Sequence, residues 1–242
     1  MESTAEVGAA HGRVALITGA GMGMGLATGQ RLLAAGYRIV ANDIDRDALA
    51  AAWAAAPEDR VRSMVGEALD HFGRLDVLVN NAALHGSQWN GPCLAYDGAQ
   101  WARLFEVNVL AVMTMVRATL DALTESQGVV VNLSSMVGYG QGAHGPYAVS
   151  KSAVNGLTTS LATELGPRGI RVVGVAPGFI ATPFLLAGMD PAVRDRLLGS
   201  QATDVQGGPE DIAAVIEFLV SPAARMITGH TVLADAGITG RP

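Results

Sequence analysis

The chain has 242 residues, half of them hydrophobic and only 16% charged, which is ample material for one large buried core and excludes a disordered polyelectrolyte. Its net charge of −6 argues against nucleic acid or an anionic membrane as partner, because both are bound through an excess of Lys and Arg. A single cysteine, Cys93, excludes an internal disulfide framework and a multi-Cys zinc site, and the five scattered His show no pair at metal-ligand spacing, so no metal is expected.

Met1 to Gly12 carries Glu2 and Glu6 rather than a basic flank and has no apolar core of signal-peptide length, which predicts a cytoplasmic protein. Arg13 to Thr18 is a short apolar run ended by glycines, as a strand buried on both faces would be. A glycine cluster follows, then a helix from Leu26 to Ala35 stopped by Gly36. Tyr37 to Asp43 reads as a second strand ending in a carboxylate. Asp45 to Ala56 and, after Pro57, Glu58 to Phe72 read as helices, the second with Val61, Val65, Leu69 and Phe72 at helical spacing. Val77 to Asn80 is a strand, Trp101 to Leu123 a long apolar helix, Gly128 to Ser134 a strand and Tyr147 to Leu165 a helix. Arg171 to Ala176 is another strand. Residues 183–208 have weak periodicity and predict a mobile substrate lid. Pro209 to Val220 is a helix with Pro at its start, and Thr231 to Ala234 a last strand. Strands alternating with helices imply a parallel sheet covered on both faces, in one domain over 1–242.

The cations are uneven: fifteen Arg and one Lys, Lys151. It follows Tyr147 by four residues, so the two share a helix face. A phenol with an ordinary pKa of about 10 is a poor acid–base at neutral pH, and a compact ammonium beside it stabilises the phenolate. Upstream, Ser134 and Ser135 end a strand, where a hydroxyl can polarise a substrate carbonyl. The run Thr18-Gly19-Ala20-Gly21-Met22-Gly23-Met24-Gly25 between strand and helix suits a pyrophosphate cradle. Asp43, at about 20 residues' distance, suits ribose hydroxyls and repels a 2′-phosphate, with Ile44 and Asp45 rather than Arg following it. NAD is therefore expected over NADP.

Taken in order with Asn80-Asn81-Ala82, Asn108, Tyr147-Ala148-Val149-Ser150-Lys151 and Pro177-Gly178, these motifs make the chain from about Arg13 to Gly237 resemble the classical short-chain dehydrogenase/reductase family. The resemblance implies a single-domain, Rossmann-like, doubly wound α/β fold. It also implies that Tyr147 is the acid–base and that Ser135, favoured over Ser134 by spacing, holds the carbonyl oxygen. Lys151 would lower the Tyr147 pKa and bind the nicotinamide ribose, with Asn108 supporting a proton-relaying water. Gly19, Gly21, Met22, Gly23, Met24, Gly25, Asp43, Ile44, Asn80, Ala82, Pro177, Gly178 and Ile180 would line the cofactor, and Thr182 would reach its carboxamide.

Three departures from the family pattern stand out. The interval after Asp43 is short, so the third, edge strand and its adenine-binding Asp are expected to be missing or vestigial, with Asp59-Arg60-Val61 as a stub at most. Ala83 stands where Gly is frequent. Asp235-Ala236-Gly237 replaces Asp-Gly-Gly, a change expected to touch packing more than chemistry. His85, Gln88, Trp89, His144, Phe184, Leu185, Leu186 and Met189 are candidate pocket residues for a small or medium ketone or alcohol. The apolar helices 101–123 and 147–165 predict a homo-oligomer, tetramer or dimer. The expectation is an NAD-dependent interconversion of a secondary alcohol and a ketone. The rivals are an NADPH-dependent 3-oxoacyl-[acyl-carrier-protein] reductase and a non-catalytic dinucleotide-binding regulator.

Overall fold

The computed structural model describes residues 12–56, 61–62, 71–140, 145–182, 186 and 189–239. Its elements are β1 (Val14–Thr18), α1 (Gly23–Ala34), β2 (Arg38–Asn42), α2 (Arg46–Trp53), β3 (Val61–Arg62) and β4 (Val77–Asn80). There follow α3 (Gly98–Phe105), a π-helical turn (Glu106–Leu110), α4 (Ala111–Ser126), β5 (Val129–Leu133) and α5 (Pro146–Leu165). The chain closes with β6 (Arg171–Pro177), α6 (Pro191–Gly199), α7 (Pro209–Val220) and β7 (Thr231–Ala234).

The strands form one parallel sheet in the order β3-β2-β1-β4-β5-β6-β7, with β1 paired to β2 on one side and to β4 on the other. The order of connection reverses between β1 and β4, and ligands collect at the carboxyl ends of strands at such a reversal. Every residue of β1, β4 and β5 is buried, as a sheet covered on both faces requires. Alternate side chains feed two cores. Ala15, Ile17, Val131 and Val173 pack with Leu32 of α1 and with Ile212, Ile216 and Leu219 of α7. Val14, Leu16, Val130 and Val172 pack with Val112, Val116 and Leu123 of α4 and with Leu161 and Leu165 of α5. The run Gly98–Ser126 is long and apolar enough to cross a bilayer by length and composition, but those buried side chains lay it on the sheet.

The third strand is vestigial, as its short interval implied. Two residues pair with β2, Val61 opposite Ile39 and Arg62 opposite Val40. This corrects the helix expected over Glu58 to Phe72, because Val61 and Arg62 are extended. Residues 58–60 and 63–70 of that expectation lie outside the described residues, and His71 and Phe72 at its end are helical. Helical spacing of apolar residues cannot register a strand this short, whose existence depends on the partner edge of β2.

Candidate active site

Thr18 ends β1 and the chain turns through Gly19, whose φ of +68° is left-handed. A Cβ on Gly25 would strike the Gly19 carbonyl oxygen and the Asn81 side-chain nitrogen, so the first turn of α1 can press directly on the loop. Asn81 fastens that loop to the tail of β4: its Nδ2 donates to the carbonyl oxygens of Thr18 (2.9 Å) and Gly19 (3.1 Å). Thr18 Oγ1 in turn accepts from the N–H groups of Asn81 (3.0 Å) and Ala82 (3.1 Å). From the other side Trp53 Nε1 donates to the Ala20 carbonyl oxygen at 3.1 Å. Met22 caps α1 without a side-chain hydrogen bond, which leaves the helix N-terminus available to an anion.

Asp43 stands just beyond β2. Its carboxylate accepts from the N–H groups of Gly21 (2.8 Å) and Asp45 (3.0 Å), fixing a negative charge beside the glycine loop. Ile44, next in the chain, is 93% exposed, and the exposed Ala82 lies against Gly19. The Thr182 methyl lies 3.7 Å from where a Cβ of Gly23 would stand, so the end of β6 closes the same crevice. The dipole end, the fixed carboxylate and the exposed apolar platform fit a dinucleotide. Gly19, Gly21, Met22, Gly23, Gly25, Asp43, Ile44, Ala82 and Thr182 would hold it. The other expected cofactor residues are placed as supports. Asn80 turns inward, donating to Asn132 Oδ1 (2.9 Å), and Asn132 donates to Thr158 Oγ1 (3.0 Å). Met24 packs on the core, Pro177 ends β6, Gly178 presses against Asp235, and buried Ile180 bridges to Gly207.

The catalytic candidates meet at the ends of β5 and α5. Ser135 begins the short turn Met136–Tyr139 and hydrogen-bonds the Tyr147 phenol. Ser134 is engaged elsewhere, its Oγ donating to the Lys151 carbonyl oxygen at 3.1 Å. One helical turn on from Tyr147, the buried Lys151 Nζ donates to the Leu133 carbonyl oxygen at 2.6 Å and lies 5.7 Å from the Tyr147 ring centroid. Burial pushes the Tyr147 pKa up to about 12, against the lowering effect of Ser135, and brings that of Lys151 down to about 8. The expected lowering of the phenol by the ammonium is not what this state shows. The ammonium is committed to a carbonyl oxygen, and desolvation of the phenol prevails.

Asn108 interrupts the expected long helix inside the π-helical turn. Its Oδ1 accepts from the Leu84 N–H (2.8 Å), while Nδ2 donates to the Leu84 carbonyl oxygen and to Ser150 Oγ (both 3.0 Å). Ser150 Oγ donates to the Tyr147 carbonyl oxygen at 2.7 Å, so Asn108 joins the tail of β4 to the catalytic helix. Ser150 and Asn81 were quoted in the motifs without a role of their own. Leu197 and Ile238, which pack with Met136, Val137 and Tyr147, carried no local signal.

Of the pocket candidates, His85 and Gln88 are exposed, and Trp89 stacks on Tyr96 at 6.1 Å between centroids. Partial desolvation of the imidazole by the surrounding chain, then the Lys151 ammonium, hold the His85 pKa below its usual value. Leu186 and Met189 lie in the segment 183–208 expected to be a lid, whose described part contains α6. His144, Phe184 and Leu185 lie outside the described residues.

Residues 19–239 match the family model described as enoyl-(acyl carrier protein) reductase. The short-chain reductase protein NovJ of Streptomyces niveus is 33% identical, covering 98% of this chain and 97% of the relative. The chain belongs to the short-chain dehydrogenase/reductase family. A second member of this dehydrogenase/reductase family, the 3-oxoacyl-[acyl-carrier-protein] reductase of Thermotoga maritima, is 33% identical over 94% of the chain and 98% of the relative. The crystal structure of levodione reductase superposes with a TM-score of 0.88 at 30% identity, covering 96% of this chain and 99% of that one. The family makes the protein an oxidoreductase that uses a nicotinamide dinucleotide.

Proposed function

We propose that this dehydrogenase/reductase interconverts a secondary alcohol and a ketone with NAD. The observation that carries the reading is the Ser135–Tyr147 hydrogen bond with the Lys151 ammonium one helical turn away, beside the glycine-loop crevice. When bound, the dinucleotide supplies or accepts the hydride. In the reductive direction Tyr147 is protonated at rest, and it gives its proton to the carbonyl oxygen while Ser135 donates to the same oxygen. The phenolate so formed is left beside the Lys151 ammonium. In the oxidative direction the phenol must first lose its proton, the harder task for a group held near 12. NAD is favoured over NADP by the Asp43 carboxylate, whose fixed negative charge at this end of the crevice repels a 2′-phosphate.

A second reading, an NADPH-dependent 3-oxoacyl-[acyl-carrier-protein] reductase, is supported by the likeness to the Thermotoga maritima enzyme. The non-catalytic regulator gains only the two-residue β3 and is opposed by the assembled Ser135, Tyr147 and Lys151. NADH and NADPH oxidation measured side by side, over a ketone panel and an acetoacetyl thioester, separates the three. NADH-dependent ketone reduction, lost in Tyr147→Phe while NADH still binds, is the expected result. A Tyr147→Phe variant that keeps most of its turnover removes the acid–base assignment. The outer faces of α4 and α5 around exposed Val149 are proposed to pair with copies of themselves.

A further inference from the structure

A cavity of about 230 Å³ lies where the ends of β6 and β7 meet α7, and the chemistry described above does not use it. Its apolar walls include Phe179 and Ile180, just beyond β6, and Ile212 and Val215 of α7. Ile180 and Ile212 belong to the core that α7 closes, whereas Leu161 and Leu165 of α5 belong to the other. The cavity and the helix that carries Tyr147 and Lys151 therefore lie on opposite faces of the sheet. Backbone hydrogen bonds fix its rim. The N–H groups of Ala202 and Thr203 donate to the Ala236 carbonyl oxygen (2.7 and 3.3 Å), and Ala181 N–H donates to that of Gly207 (2.9 Å).

The polar side chains of the wall are not all satisfied. Asp211 accepts from the Gly208 N–H at 2.8 Å, and Asp235 from the N–H groups of Gly237 (3.0 Å) and Thr239 (2.8 Å). Gln201 also lines the cavity and is only 6% exposed, yet its side-chain amide hydrogen-bonds to no described residue. Burying an amide without a partner is costly, and folded chains leave few such groups. This one borders a space large enough to admit a partner.

We propose that the cavity is a second binding site, for a neutral, ring-sized molecule that carries a primary carboxamide. An apolar cavity of about 150 Å³ is enough for benzene, so this one admits a substituted ring. The Gln201 amide offers a donor and an acceptor side by side, which a carboxamide matches with two reciprocal hydrogen bonds. The Asp211 and Asp235 carboxylates disfavour an anion in the same space. The inference stands apart from the alcohol/ketone reading, because it calls on neither Tyr147 nor the dinucleotide.

Calorimetric titration of the full-length protein with benzamide, toluene and benzoate tests it, using the wild type, Gln201→Met and Val215→Trp. Benzamide is expected to bind the wild type once per chain with a Kd of about 1 mM or below, and the other two about tenfold more weakly. Gln201→Met keeps the size of the side chain and loses the amide, so it should weaken benzamide about tenfold and leave toluene unchanged. Val215→Trp fills the cavity and should abolish benzamide binding. A cooperative thermal transition shows that each variant is folded, and if Val215→Trp has none, Gln201→Met alone decides. Benzamide affinity unmoved in Gln201→Met, or toluene or benzoate bound by the wild type as tightly as benzamide, overturns the proposal. Binding of none of the three also overturns it and leaves the cavity to solvent.

Discussion

Lys151→Met separates what the ammonium does for the site from what it costs the fold. Burial brings the Lys151 pKa from 10.5 to about 8, and at about 1.4 kcal/mol per pH unit this corresponds to about 3 kcal/mol against the charged form. Methionine has nearly the same length and no charge, so the substitution removes that penalty. It also forfeits the bond to the Leu133 carbonyl oxygen, a charge-assisted contact worth about 1.5 kcal/mol. The variant should therefore be about 1–2 kcal/mol more stable than the wild type at pH 7 and have almost no turnover. The sign with pH follows from the folded pKa lying below the unfolded one. The penalty is fully present below pH 8, shrinks as pH rises, and is gone above about 10.5. Urea unfolding of both proteins at pH 7, 9 and 10.5 measures the difference, which should fall and then reverse. A Met variant less stable than the wild type at pH 7, or a difference that ignores pH, would refute the argument.

The same depressed pKa bears on turnover. In ketone reduction, kcat/KM for NADH reports groups of the free enzyme and should fall about tenfold per pH unit above about 8, because the ammonium is lost while the phenol stays protonated. A profile flat to pH 10 contradicts an ammonium requirement. Lys151→Arg should lose turnover by about 100-fold or more although charge is kept, measured at saturating NADH. Asn132→Ala breaks the buried chain from Asn80 to Thr158 and strands a donor on the Asn80 side and an acceptor on the Thr158 side. It should cost about 2–4 kcal/mol in denaturant unfolding, and a cost below about 1 kcal/mol would mean that the chain does not support the sheet. Ala236 holds a left-handed φ of 52°, which penalises a Cβ, so Ala236→Gly should gain up to about 1 kcal/mol and raise Tm by about 2–4 °C in calorimetry. A lower Tm would show that the methyl contributes more by packing than the backbone costs.

The long elements were legible because consecutive valines and isoleucines flanked by glycine have few structures open to them other than buried strands. Periodicity misled at Val61, which shares helical spacing with Val65, Leu69 and Phe72, yet pairs with Ile39 across the sheet. That pairing is non-local and leaves no local trace. The π-helical turn at Asn108 was equally silent, since the apolar pattern runs through it unbroken. Within Asn80-Asn81-Ala82 the two amides look alike in sequence. The strand pleat sends Asn80 into the core, and only the fold shows that Asn81 is the one gripping the glycine loop. The Ala236 departure was visible. Its physical meaning, a side chain in a backbone conformation that suits glycine, required the φ angle.

The perturbed titration at the site comes from depth, and depth is what spacing cannot report. Tyr147 and Lys151 share a face by their four-residue separation, and that much follows from the helix. Their pKa values then move apart, the phenol up and the amine down, because each charged form is desolvated. The lone lysine is explained by the same depth. At 3% exposure the cation donates to the Leu133 carbonyl oxygen. An ammonium is small enough to accept that position and can shed its charge near pH 8. A guanidinium carries five donors and stays charged at every accessible pH, so burying one here would leave donors unpaired and a full desolvation cost unrelieved. The fifteen arginines of this chain are therefore no substitute at position 151, whatever bias placed them elsewhere.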